Sequence, residues 1–447
     1  MKKKTVSWGR KRERGQTIIL VAIGIISLLA MAALAIDIVT LYAARSETQL
    51  AADATALAAA KAIADSGFTT LPPGDPNIVN GNAQTLAQNM ATAAISAMLN
   101  PANSPPINRV AGIQPVLVGT PTLFFPALAI PPNSNPHITV TLQVTALPTF
   151  FARIWGNRTA TVTASATAEA YNPANVQNYT PIAPKGVKPW LIANADPTRP
   201  VVPPPTFIDP STGAVESGVI GESFNLTADC AHNPRNSCTL NHNPPTSNSG
   251  TLQVDYVPAP VTANPNDICP TPASCTENAA YPDYQDSIQC HDVNPYPCGG
   301  AINNFSWDPT VNPRGRRGPT AYGAECLIHA ASGQDLLQNL GPWPTGPFQF
   351  QAQSGPQNGN TVTTSSSIVT IPIIDTSSPT VFQANPPYGV TIVGFMQAFI
   401  NQVQPGNLGD VNVTVLNIAG CSATPNPTNP VVGSGTSPIP VRLITPP

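Results

Sequence analysis

Twenty-one residues, Gln16 to Ile36 (QTIILVAIGIISLLAMAALAI), carry no ionisable side chain before Asp37, and nothing else in the chain restricts its fate as strongly. As a helix rising ~1.5 Å per residue the run is roughly 31 Å long, the thickness of a hydrocarbon core. Seven of the 20 Lys and Arg precede it: Lys2, Lys3, Lys4, Arg10, Lys11, Arg12 and Arg14. Cationic flanks stay on the cytoplasmic side, so a transmembrane helix is expected over 16–36 behind a cytoplasmic basic tail over 1–15. Ala33-Leu34-Ala35 has the small-x-small form of a cleavage site, and the competing reading is a removable secretory signal centred on Ile18 to Leu29. The apolar stretch is longer than a usual signal core and runs straight through that site, which favours an uncleaved anchor. Both readings export the rest of the chain.

What is exported can fold. Hydrophobic residues make up 42% of the 447 with a net charge of only -3, unlike the low-hydrophobicity, high-charge pattern of disordered chains. The 53 prolines and 31 glycines fall short of the roughly 25–30% that marks low-complexity disorder. No broad basic surface is available to grip phosphates, so no nucleic-acid partner is expected. All eight cysteines (Cys230, Cys238, Cys269, Cys275, Cys290, Cys298, Cys326 and Cys421) lie far beyond the apolar run, as suits an oxidising compartment. Close spacing suggests local bridges Cys230 with Cys238, Cys269 with Cys275 and Cys290 with Cys298, although eight cysteines allow 105 connectivities.

Residues 38–64 are alanine-rich and proline-free, so the helix should continue out of the bilayer, giving an exported Ala-rich helix over 37–66 stopped at Ser66-Gly67. A second helix is expected over 82–99. The period then becomes two: His137 to Ala146 and Thr159 to Glu169 read as half-buried strands, joined by the bulky apolar connector Leu147 to Gly156 (LPTFFARIWG). Residues 171–360 are rich in Pro, Asn, Ser and Cys, a region to be held by turns and bridges with little regular structure. Ser367 to Ile374, Val390 to Ile400 and Val411 to Ile418 look like strands of a C-terminal β region over 361–422, and 423–447 like a flexible tail. The fold class is α+β: an N-terminal transmembrane helix continuing into a helix packed on an antiparallel sheet, with an α/β module over 67–170, followed by a Pro/Cys-rich, mainly β and loop region.

The stretch RGQTIILVAIGIISLLAMAALAIDIVTLYAARSETQLAADATALAAA, from Arg14 to Ala60, closely resembles the amino-terminal segment of TadG-like proteins of tight-adherence (Tad, or Flp) pilus assembly. Gly15 and Gln16 ahead of the helix, Asp37 at its exit, and Gln49, Asp53 and Leu57 in the exported part carry the likeness. Looser similarity covers the strand, connector and strand through Ala170, Gly318-Pro-Thr320 and the segment Val390 to Phe399. The resemblance implies a pilin-like module over 67–170 in an inner-membrane, periplasm-facing protein that helps build or position a pilus. Its partners would be membrane lipid and pilus-assembly or pilin-like subunits. Some relatives carry a von Willebrand factor A domain, but Asp375-Thr-Ser377-Ser378-Pro379 lacks the Asp-x-Ser-x-Ser spacing of its metal site. Prepilin-type cutting after Gly15 would put Leu20 where a glutamate belongs, which removes the charge partner of a membrane-embedded subunit.

Two carboxylates stand out. Asp37 marks the helix exit as an interfacial residue, or pairs with a basic group on a neighbouring subunit. Asp53, on a face of small residues, suits packing and hydrogen bonding better than chemistry. Cys230 with His232 and Cys290 with His291 match no zinc spacing, and Asp283, Asp286 and Asp292 lack the EF-hand pattern, so no metal and no cofactor are expected. The chain has no Gly-x-Ser-x-Gly, Walker loop, Gly-x-Gly-x-x-Gly or His-Glu-x-x-His, and its five histidines fall in no catalytic motif, so neither catalysis nor a small-molecule substrate is expected. The function expected is a non-catalytic structural or assembly component; the alternative is an exported surface adhesin or binding protein.

Overall fold

The computed structural model describes residues 13–70, 89, 92, 115–124, 135–149, 151–152, 156, 159–173, 182–198, 205–228, 237–239, 252–258, 282–291, 294–296, 298, 301–305, 318–330, 332–339, 348–362, 364–375, 381–383, 388–403, 410–421, 431–432 and 437–444. The chain divides into two compact units. Met1–Ala54, Leu99–Gly119 and Val140–Ala166 form the first; Thr55–Met98, Thr120–Thr139 and Thr167–Pro447 form the second. The arrangement is α+β.

One helix, α1, covers Glu13–Asp65 without a break. No proline interrupts these 53 residues, and the good helix formers Ala and Leu dominate. Three of its hydroxyls bond back along the helix. Ser27, Thr40 and Thr48 donate to the carbonyls of Ile23, Ile36 and Ala44 at 2.5, 2.9 and 2.7 Å, so they do not compete with the backbone ladder.

In the first unit α1 lies on a hairpin built from the strands β1 (His137–Pro148) and β2 (Thr159–Ala170). Alternation decides which face is covered: Val144, Leu147 and Val162 pack with Ala44, Leu41 and Ala160. The other face is a ladder of polar pairs, Thr141 with Ser165 at 2.9 Å and Gln143 with Thr163 at 3.3 Å. Val116–Leu117 adds a short antiparallel strand to β1. The remaining ends of the hairpin belong to the second unit, where Thr122–Phe124 pairs with β1 and Val441–Ile444 pairs with β2.

The second unit is organised by a closed ring of six strands: β3 (Trp190–Ala193), β4 (Ser223–Ala228), β5 (Gln253–Pro258), β6 (Ile368–Ile374), β7 (Tyr388–Val403) and β8 (Val411–Gly420). Around the ring β6 is antiparallel to β7, β7 to β8 and β8 to β4; β4 is parallel to β5, β5 antiparallel to β3, and β3 parallel to β6. Closure leaves no exposed edge within the ring. Trp190, Phe224, Tyr256, Ile371, Met396 and Phe399 are among the buried residues of its core. Two short helices, α2 (Pro282–Gln289) and α3 (Gly318–Leu327), pack together at Gly323, where a Cβ would stand 2.9 Å from that of Ile288. Buried Lys188 donates its ammonium protons to the carbonyls of Ile288 and Cys290 at 2.6 and 2.8 Å, placing a cation at the negative end of α2.

Several expectations change. Residue 360 is no boundary, because β3, β4 and β5 come from 171–360 and close with β6, β7 and β8 from beyond it. The stretch expected to hold little regular structure thus supplies half the ring. The tail over 423–447 is partly ordered: Val441–Ile444 is a strand, Ile439 and Ser437 are buried, and Arg442 is anchored by Glu169. Cys298 bridges Cys421, 123 residues away, and not Cys290. Sequence proximity eases loop closure in the unfolded chain, but the native bond needs the two Cα atoms within reach, here 5.5 Å. Cys290 and Cys326 are each disulfide-bonded, and no cysteine among the described residues is free. The expected pairs Cys230 with Cys238 and Cys269 with Cys275 lie outside the described side chains. Of the helix expected over 82–99 only Asn89 and Thr92 are described, both helical.

Candidate functional site

The site grows out of α1. From Ile18 onward its large apolar side chains are turned to the outside, and exposure persists beyond the sequence-defined limit at Ile36: Ile38 is 54% exposed, Val39 67% and Tyr42 75%. Asp37 is the exception at 4%. Its Oδ2 accepts the backbone N–H groups of Phe151 and Ala152, each at 2.9 Å, in the connector between β1 and β2. The chain folds this way because a connector at a strand end has donors without ladder partners, and a carboxylate accepts two of them strongly. Asp37 therefore clamps the turn of the hairpin to the helix. Spacing alone had suggested an end-marker or an intersubunit pair, and neither reading anticipated a backbone partner 114 residues away.

Twelve residues further along, Gln49 donates to Asp53 Oδ1 at 2.8 Å and to the carbonyl of Ser165 at 3.1 Å. The family-like residues Asp37 and Gln49 thus both hold α1 to the hairpin, with Asp53 orienting Gln49. Gly15 and Gln16 occupy the first turn of α1. Leu57 is half-buried in the second unit, next to the fully buried Ala56, Ala59 and Ala60.

The end of α1 is fastened separately, within the second unit. Gly67 takes φ +80, where a Cβ would meet the Leu416 carbonyl at 2.7 Å, so glycine is required to turn the chain out of the helix. Asn417 on β8 donates to the Ala64 carbonyl at 2.6 Å and accepts the hydroxyl protons of Thr69 and Thr70 at 3.1 Å each. Gln397 on β7 donates to Asp65 at 2.7 Å and to Ser437 at 3.0 Å, and Lys61 pairs with the same Asp65 carboxylate. Asp65, Gln397 and Asn417 are all buried, so the network satisfies one helix end inside the protein.

At the far end of β2, buried Glu169 receives Arg442 Nε at 2.7 Å, and His137 Nε2 stands 3.8 Å away. Burial alone would raise this carboxyl, but hydrogen bonds from His137 and Arg442 outweigh it and hold it below the ordinary 4.5. Arg442 also covers the ring of Tyr171, 4.7 Å from its centroid. Tyr256 and Tyr284 share the hydroxyl of Thr320, and burial pushes the Tyr256 phenol up to about 12. Asp286 accepts Gln289 at 2.6 Å, while Asp292 and His232 lie outside the described residues. Among the described residues no group of three or more His, Cys, Asp or Glu is placed to hold a metal ion. What these arrangements do is grip backbone and seat elements.

Sequence reasoning missed Gln397, Asn417 and Arg442. The first two carried a signal, being amides inside the apolar runs VGFMQAF and VTVLNIAG. Arg442 carried none, since its partner is 273 residues distant.

Comparison with protein families finds a match over residues 15–62, to the Flp pilus-assembly TadE/G-like family model. Those residues form α1 almost entirely, and they include Asp37, Gln49, Asp53 and Leu57. No curated protein and no solved structure matches the chain.

Proposed function

We propose that this chain is a membrane-anchored, periplasm-facing structural or assembly component of an Flp-type pilus system that works by contact and makes or breaks no bond. The observation that carries the reading is a coincidence of positions. The matched segment is the continuous helix that begins as an outward-facing apolar rod and ends in the second unit, gripped by Asn417 and Gln397. One helix in the described chain is long and apolar enough to cross a membrane. The basic leader supports a cytoplasmic amino end. The disulfide between Cys298 and Cys421 supports an oxidising compartment for the second unit. A helix laid on a hairpin sheet supports a pilin-like module, and its partners would be inner-membrane lipid and pilus subunits.

The test is fractionation of cells carrying the full-length protein with a C-terminal tag, together with a deletion strain. The expected result is a carbonate-resistant inner-membrane protein whose tag is digested only after the outer membrane is opened, and a deletion strain without pili. A soluble protein, or a tag removed from intact cells, refutes the localisation; normal piliation in the deletion strain refutes the pilus role.

A further inference from the structure

We propose that the outer edge of β2, from Thr159 to Thr163, docks an extended segment of another polypeptide, which joins the hairpin sheet as an added strand. The direction of the backbone carries the first step. Val118, on the side of β1 away from β2, donates its N–H to the Thr141 carbonyl at 2.9 Å, so the backbone groups of Thr141 point away from β2. Thr141 stands opposite Ser165, their hydroxyls 2.9 Å apart. Opposite residues of an antiparallel pair either exchange both bonds or both turn away, so the N–H and C=O of Ser165 face outward too. Every second residue repeats this, which puts the backbone groups of Thr159, Thr161, Thr163, Thr167, Glu169 and Tyr171 on the same outer edge.

The upper part of that row is occupied. Ile444 and Arg442 pair with Thr167 and Glu169, and the Tyr171 N–H meets the Pro440 carbonyl at 2.9 Å. Gln49 donates its amide to the Ser165 carbonyl at 3.1 Å. Among the described residues nothing pairs with the outward backbone groups of Thr159, Thr161 and Thr163, and all three residues are exposed. The C-terminal strand is not suited to run on over them: in the same register Pro446 would oppose Ser165, and proline has no N–H to give. Open sheet edges are ordinarily guarded by a charge, a proline or a bulge. Residues 159–166, TATVTASA, carry no charge and no proline, and their burial alternates without a break.

Chemistry chooses the occupant. Three N–H donors and three carbonyl acceptors, repeating every ~6.8 Å, match the backbone of an extended polypeptide. On one face the added strand lies beside Ala160 and Val162, and on the other beside the hydroxyls of Thr159, Thr161 and Thr163, so it alternates aliphatic with uncharged polar side chains. β1 has that pattern and already pairs with the inner edge of β2. This follows from the hairpin alone and stands whether or not α1 crosses a bilayer.

The probe is a fluorescent synthetic copy of β1, His137–Pro148, added to the full-length protein in detergent. Anisotropy reads binding, and hydrogen exchange resolved to single residues reads the edge. The expected result is saturable binding that slows exchange at the N–H groups of Thr159, Thr161 and Thr163. Two further peptides are N-methylated, one at Ile138, Val140, Leu142 and Val144 and the other at Thr139, Thr141, Gln143 and Thr145. A strand bonds this edge through one of its own two edges, so one methylated set should abolish binding and the other preserve it. Thr161→Pro removes an outward donor and no bond to β1, and should weaken binding about 2- to 10-fold, while Thr161→Val should leave it unchanged. No binding, equal loss with both methylated peptides, or protection confined to other residues overturns the proposal. Protection of the same three N–H groups that rises with protein concentration in the absence of peptide identifies a second copy on this edge, and overturns the assignment to a different polypeptide.

Discussion

Replacing Asp37 by alanine should release the turn of the hairpin from α1. The carboxylate accepts two N–H groups at 2.9 Å in a buried position, so its loss strands two donors. Each buried unsatisfied donor costs about 1–3 kcal/mol, which gives about 2–6 kcal/mol for the local opening of the turn. At about 1.4 kcal/mol per tenfold, even the lower bound raises the open population roughly 30-fold. Asp37→Asn keeps an oxygen able to accept both donors but loses the charge assistance, so about 1–2 kcal/mol and roughly 5- to 30-fold are expected. Arg153 sits next to the clamped pair in sequence, which makes tryptic cutting a direct reading of the open state when reclosing is faster than cleavage. The assay is the initial rate of trypsin cleavage after Arg153 in the reconstituted full-length protein, with the site confirmed by fragment mass. Asp53→Asn serves as control, because Asp53 accepts one bond from Gln49 on the same helix and should change the rate little. Equal cleavage rates in Asp37→Ala, Asp37→Asn and the unaltered protein would refute the clamp.

Three other outcomes are expected. Cys298→Ser combined with Cys421→Ser should lower the unfolding free energy of the second unit by up to about 5 kcal/mol, the chain-entropy value for a separation of 123 residues, against about 2.5 for the eight-residue separation of Cys290 and Cys298; urea titration of the double variant measures it, and a loss below that smaller value contradicts the long bridge. Asn417→Ala removes the bonds that Asn417 makes to the Ala64 carbonyl and to the Thr69 and Thr70 hydroxyls, at about 3–5 kcal/mol, whereas a shift in urea midpoint no larger than that of an exposed control such as Leu336→Ala would show the network to be dispensable. The Glu169 carboxyl is held below 4.5 when folded, so its contribution is present above that pH and disappears as pH falls through the folded value. Glu169→Gln should therefore be less stable than the unaltered protein near neutral pH, with the gap closing in thermal unfolding scans as pH falls below the ordinary carboxylate range.

Local periodicity made part of this fold legible. The unbroken helix follows from residues 13–65 containing no proline, and its stop at Gly67 from the residue best suited to a left-handed turn. Alternation placed β1 and β2 within two residues of their observed ends, and the apolar run IVTIPII placed β6. The ring was not legible. β3 has four residues and β4 and β5 six each, and their partners are chosen by pairings across long separations, including two parallel ones that need crossovers. Composition is blind to this: a Pro- and Asn-rich segment needs only three short apolar strands to join a ring whose other half comes from elsewhere. The C-terminal strand was hidden for a related reason, since Arg442 and Ile439 gain their anchoring only once Glu169 and the buried interior are assembled around them.

The site divides along the same line. Asp37 could be singled out at the helix exit, Asp53 on its small-residue face and Gln49 by the family resemblance, but the partners that Asp37 and Gln49 hold on the hairpin are backbone atoms, the N–H groups of Phe151 and Ala152 and the carbonyl of Ser165. Every residue owns such atoms, so sequence cannot say which ones a side chain will choose. Gln397 and Asn417 differ, because an amide within an apolar strand must find partners or lose stability on burial, and the residue pattern alone discloses that necessity. A buried amide in a strand next to a helix end is thus a usable sign of a seated helix.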